Sequence, residues 1–137
     1  MATKKTETVN ERDYSASIQF SSFEMSAYDR VKFKDLSDAV RVDEETKAGP
    51  FTANIVNYVI LSVHNGKSKS NPDYVNYVYI TDEGKKICSG SESLWNAFSD
   101  IWDELKVDGS ITSIPLKFYR VPSKNYSGKD FLTCSLA

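Results

Sequence analysis

The chain has 137 residues, room for one domain and too few for a catalytic domain with a separate regulatory one. Hydrophobic residues make up 40% and charged residues 26%, which excludes disordered and collagen-like classes. Seventeen Lys and Arg stand against nineteen Asp and Glu, and a formal net charge of -2 argues against a strongly basic coat for duplex DNA or RNA.

A chain of this size buries about two-thirds of its unfolded surface, so it is expected to fold without metal or disulfide. No apolar run reaches the roughly 18 residues of a membrane helix. The basic residues in Met1–Glu7 have no apolar stretch behind them, so no secretory signal is expected. Cys88 and Cys134 match no metal-finger or CxxC spacing. Cys134 reads as a small buried hydrophobe, and an intracellular, reducing setting is expected for the protein.

Residues 1–13 are polar and aperiodic and read as a flexible tail, leaving residues 14–137 as a single domain with an N-terminal extension. Ile18 and Phe20 alternate as in a short strand, whereas Phe23, Met25, Tyr28, Val31 and Phe33 follow no clean period. Lys34–Ala39 reads as a short turn or helix, and Gly49-Pro50 is a strong break. Phe51–Val63, rich in β-branched and aromatic residues, is the first clear strand. Asn54 and Asn57 interrupt its alternation, which a bulge or partial burial on both faces would explain.

After a polar loop over His64–Asp73, Tyr74–Thr81 reads as a strand. Period two puts Val75, Tyr77 and Tyr79 on one face and Tyr74, Asn76, Val78 and Ile80 on the other. Asp82–Lys85 is a tight turn in which Gly84 supplies a positive φ, and Lys86–Ser89 is the return strand. Ser91–Leu105 is the one persuasive helix, with Leu94, Phe98, Ile101, Trp102 and Leu105 on a single stripe. Ser89 with Glu92 could form a capping box at its start, with Ser91 as the rival cap. Ile111–Val121 follows as a strand, with Ile114, Leu116 and Phe118 on one face and Lys117, Tyr119 and Val121 on the other. A polar loop and a last strand, Phe131–Leu136, complete the chain.

Five strands with one helix between the third and fourth is the order of an OB-fold barrel, so the expected class is mainly β. Its core should hold Phe51, Ile55, Val59, Leu61, Val78, Ile80, Leu94, Phe98, Ile101, Leu116, Phe118, Leu132 and Cys134.

Enzymatic readings find little support. The one histidine, His64, sits at the rim of a polar loop, no phosphate-loop or metalloprotease motif occurs, and the acid pairs Asp82-Glu83 and Asp103-Glu104 read as solvated. Tyrosine is the unusual residue, at eight copies. Tyr58, Tyr74, Tyr77, Tyr79, Tyr119 and Tyr126 fall in strands or the last loop. A ring stacked on a base is worth about 1–3 kcal/mol and tolerates any base. Lysines beside the rings, Lys117 by Tyr119 and Lys124 near Tyr126, would meet phosphates. The same rings serve equally well as core, and a one-residue change of register in the second strand exchanges which face carries them. Charge is uneven. Lys117, Arg120, Lys124 and Lys129 face only Asp130 near the C-terminus, while the helix region carries Glu92, Asp100, Asp103, Glu104 and Asp108 against Lys106.

Three stretches carry a likeness: the aromatic strand and acidic turn Tyr77–Gly84, the Ser-rich helix entry Cys88–Phe98, and the closing hairpin Ile114–Leu136 with its Ser-Lys and Gly-Lys turn. In these the chain resembles the small OB-fold single-stranded DNA-binding proteins of tailed bacteriophages, from about Lys34 to Leu136 and most strongly from Tyr74 onward. The resemblance implies a non-catalytic protein without cofactor or metal. It would bind single-stranded DNA with low sequence specificity and protect unpaired strands during phage replication or recombination in the host cytoplasm. The implied contacts are Tyr77, Tyr79, Lys117, Tyr119, Lys124, Tyr126, Lys129 and Phe131, with Tyr58 as a further stacking candidate. The segment before Lys34 has no counterpart and is open to adding a strand, covering an edge or mediating self-association. The competing readings are a protein-interaction module or a phage accessory or structural protein with a tyrosine-rich surface.

Overall fold

The computed structural model describes residues 14–67, 70–123 and 129–137. The protein is mainly β, and its strands form one curled, open sheet, a half-barrel. The strands are β1 (Tyr14–Ser21), β2 (Val40–Arg41), β3 (Phe51–Asn65), β4 (Asp73–Thr81), β5 (Lys86–Ser89), β6 (Ile114–Pro122) and β7 (Asp130–Leu136). The helices are α1 (Ala27–Lys34), the single turn α2 (Val42–Glu45) and α3 (Glu92–Leu105).

β3 is the spine. Along one edge it pairs antiparallel with β4 from Ile55 to His64. Along the other it pairs with β6 from Phe51 to Ile55 and with β1 from Val59 to Asn65. The path runs β2-β5-β4-β3-β6-β7, with β1 beside β3 beyond the end of β6. The register shifts between Ile55 and Asn57, the bulge that the two asparagines suggested. It lets Ile55 and Tyr58 point to the same side of the sheet.

Two features depart from the expected five-stranded barrel. The sheet has seven strands among the described residues, and it is open rather than closed. Both added strands precede the first expected strand: β1, from the N-terminal extension, takes the stretch of β3 edge that β6 leaves free, and β2 is a two-residue parallel pairing with β5. An unpaired edge of β3 would expose a row of backbone donors and acceptors, and β1 satisfies them.

Each face of the sheet has its own cover. On one face, α3 packs Leu94 and Phe98 against Ile55, Tyr79, Ile114, Leu116, Phe118, Leu132 and Cys134. The Ser91 side chain caps this helix by accepting from the Leu94 N–H, so Ser91 and not Ser89 is the N-cap. On the other, outer face, residues 23–36 lay Phe23, Met25, Phe33 and Leu36 over Val59, Leu61, Val63, Val78, Ile80 and Cys88. α1 starts at a capping box, where the Ser26 hydroxyl accepts from the Asp29 N–H while the Asp29 carboxylate accepts from the Ser26 N–H.

Lys86 fastens the outer cover. It is 5% exposed, and its ammonium donates to the carbonyls of Lys32 (2.8 Å) and Asp35 (2.5 Å) and pairs with the Asp38 carboxylate at 2.8 Å. A buried ammonium is tolerated only with such partners, and the C-terminal carbonyls of α1 lack partners within the helix. Lys86→Met should strand both carbonyls and cost about 1–3 kcal/mol. Hydrogen exchange should then speed up across residues 23–38 while α3 stays protected; uniform loss of protection would mean that the cover is not a separate unit.

Both cysteines are free and buried, Cys88 toward the outer cover and Cys134 toward α3, on opposite faces of the sheet. Burial pushes both thiols up, Cys134 to about 12. Thiol reagents should therefore label neither residue in native protein and both in denaturant. Rapid native labelling of either would show that its face is uncovered.

Candidate functional site

The strand tyrosines are the first test of the expected interface. β4 does place Tyr77 and Tyr79 on one face, but that face lies under α3. Tyr79 has no exposed surface and Tyr77 is 9% exposed. Trp95 stacks on Tyr77 at 4.8 Å and 4° between planes, so the indole occupies the ring face that a base would need. Tyr79 meets Phe98 edge-on at 4.7 Å. Tyr58 is half-buried among Phe20, Trp95, Phe98 and Trp102. Such ring pairs add about 0.5–1.5 kcal/mol each beyond burial. Tyr58, Tyr77 and Tyr79 are thus core or core-edge rings, not the water-facing platforms expected from the sequence. The physical reason for Tyr77 and Tyr79 is that β4 is covered on both faces from Asn76 to Thr81, so neither alternating set reaches water there.

The closing hairpin is different. In β6, Ile114, Leu116 and Phe118 are buried against α3, while Lys117, Tyr119 and Val121 point to the outer face. On β7, Ser135, Thr133 and Phe131 stand directly opposite those three residues. The cover formed by residues 23–36 packs on the β3–β5 part of the outer face, and the hairpin's outer surface stays open. Lys117 is exposed with its Nζ 5.2 Å from the Tyr119 ring centroid, Phe131 is 41% exposed and Tyr119 half-buried. Thr52 and Asn54 of β3 extend the same surface beside Lys117 and Pro115. Lys129, also exposed, lies at the loop end of the hairpin, where its carbonyl accepts from the Ser123 N–H. The structure therefore brings together Lys117, Tyr119 and Phe131, with Lys129 adjoining. Lys124 and Tyr126 lie outside the described residues.

Charge follows the same division. Glu92, Asp100, Asp103, Glu104 and Asp108 are exposed on or just beyond α3, on the side of the sheet opposite the outer surface of the hairpin. Arg120 leaves the expected basic group. It sits on the inward parity of β6, donating from Nε to the Thr46 hydroxyl at 3.0 Å and from Nη2 to the Asp43 carbonyl at 2.6 Å. It thereby ties the α2 turn to the hairpin.

Sequence reasoning missed Trp95 as the partner of Tyr77, and it gave no role to the exposed rings Tyr14, Phe20 and Tyr28 of the extension. The pattern Ser26-x-x-Asp29 was the signal for α1. Among the described residues no group of three or more His, Cys, Asp and Glu could hold a metal ion, and no helix is long and apolar enough to cross a membrane. His64 pairs with Asp73 at 2.6 Å in an exposed position. No protein-family model, curated protein or solved structure matches this chain.

The Tyr79 hydroxyl has no hydrogen-bond partner, and burial holds its pKa well above the usual phenol range. Tyr79→Phe should remove this unsatisfied group and stabilise the fold by roughly 1 kcal/mol, a rise in Tm of about 3–5 °C. Tyr79→Ala should cost about 3–5 kcal/mol. Thermal unfolding of the two variants checks both; a neutral Tyr79→Ala would return this ring to the surface.

Proposed function

We propose that this protein is an OB-like domain that binds single-stranded DNA without catalysis, through the outer face of the β6–β7 hairpin. The path β5-β4-β3-β6-β7, with α3 between β5 and β6, follows the strand order of an OB barrel left open between its third and fifth strands. The observation that carries the reading is the grouping of Lys117, Tyr119 and Phe131 on one open sheet surface, with the α3 acids on the far side of the sheet. Rings there can stack on bases of any identity, and Lys117 with Lys129 can meet phosphates. Occupancy protects the strand, and preference for the unpaired form lowers duplex stability by mass action. In the setting that the phage resemblance implies, those strands are the ones exposed in replication or recombination.

A second reading has its own observation. Tyr28 and Val31, 88% and 70% exposed, stand one turn apart on α1, a small apolar patch of the kind that meets another protein. Anisotropy of a labelled oligo-dT at two salt concentrations separates the two readings. The DNA reading expects micromolar or tighter binding that weakens with salt. Tyr119→Ala should then cost about 1–3 kcal/mol of binding, and Lys117→Ala should reduce the salt slope by about 0.7. Absence of binding at low salt, or binding that ignores both substitutions, would remove the hairpin from consideration.

A further inference from the structure

β1 and α1 wall a second surface, a cleft of about 530 Å³, within the size range of small-molecule sites. Arg30 and Lys34 line it from α1, one helical turn apart, Ser17 lines it from β1, and Ile18 and Met25 give it an apolar wall. Like charges one turn apart repel and weaken a helix. Lys34 gains from its place at the C-terminal end of α1, but Arg30 in the middle does not. Among the described residues neither cation forms an ion pair, although Glu24 also lines the cleft. Past Lys34 the cleft meets a hollow of about 380 Å³ that adds Arg41 and Tyr14. The acid there, Asp35, already accepts from the Ser37 N–H and hydroxyl.

We propose that this cleft binds a nucleotide through its phosphate, with the base or sugar against the apolar wall. A guanidinium presents two parallel donors to a phosphate, and an ammonium adds a point charge. The site stands apart from the β6–β7 surface and does not depend on it. The nucleotide is either free or one unit of a single strand, since both offer the same chemistry to Arg30 and Lys34.

The test titrates the full chain with thymidine monophosphate and, separately, with a labelled short oligo-dT, following amide shifts and anisotropy. The variants are R30A/K34A and, as a charge-matched control, K47A/K85A, whose lysines are exposed and paired with Glu44 and Glu83. R30A/K34A should weaken at least one probe by about tenfold or more while the control stays near wild type, with shifts mapping to residues 17–34. Weakening of the monophosphate alone identifies a free nucleotide as the ligand; weakening of oligo-dT identifies a strand. Absence of shifts in residues 17–34, unchanged binding in R30A/K34A, or equal weakening in the control would overturn the assignment. Oligo-dT binding that survives R30A/K34A but fails in Lys117→Ala would leave the hairpin as the sole site.

Discussion

The architecture depends on covering both faces at once of β4 from Asn76 to Thr81 and of the β3 stretch from Ile55 to Leu61. An antiparallel sheet ordinarily keeps one face wet. Here the six residues Asn76–Thr81 are all buried, alternately under α3 and under the outer cover. A strand enclosed in this way needs two layers, and this short chain has one long helix to give. The second layer is therefore made from the extension, whose α1 buries only Phe33 and which Lys86 must hold down at its C-terminal end. The buried ammonium and the unpaired carbonyls of α1 solve each other's desolvation problem, which ties the cover to β5 by polar contacts as well as by packing.

That double burial decides where a functional surface can lie. Ring faces are finite: Trp95 lies flat on Tyr77 and Phe98 meets Tyr79, so these tyrosines spend their aromatic surface inside the molecule. Of the rings expected to meet a ligand, those left open beside a lysine lie where the sheet continues past its outer cover, on β6 and β7. Burial there alternates strictly from Ile114 to Phe118, buried residues facing α3 and Pro115 and Lys117 facing out, as in an ordinary one-sided sheet. The same alternation turns Arg120 inward, where it braces α2 instead of joining Lys117.

This contrast was partly written in the sequence. β3 to β7 and α3 follow from β-branched runs, the Gly84 turn and the apolar stripe of α3, and the outward parity of Lys117 and Tyr119 was legible because polar and apolar residues alternate there. The fate of Tyr77 and Tyr79 was not legible. Alternation in Tyr74–Thr81 assigned the two sets correctly, but tyrosine is at home on either side of a boundary, and only the cover over Val78 and Ile80 shows that neither set is wet. The near-continuous apolar character of that strand was the available hint of two-sided burial. α1 escaped because a helix with one buried residue has no periodicity to detect; capping and tertiary contact hold it. β2 is too short to carry any pattern.

The formal charge of -2 bears less on an anionic ligand than the total suggests. The acids of α3 stand on its solvent side, roughly a helix diameter of 10 Å beyond the sheet, whereas Lys117 projects from the opposite surface. At physiological ionic strength the screening length is about 8 Å, so the α3 acids add little to the hairpin's local potential, which is set by Lys117 and Lys129 together with the nearer acids Asp130 and Asp82. Dilute salt lengthens that reach and brings the α3 acids into play against the same ligand. Two opposing dependences would then act on the proposed interface: counterion release from a strand neutralised by Lys117 and Lys129 favours binding at low salt, while unscreened repulsion from α3 grows as salt falls. The proposed strand binding would therefore respond to salt less steeply than Lys117 and Lys129 alone would give.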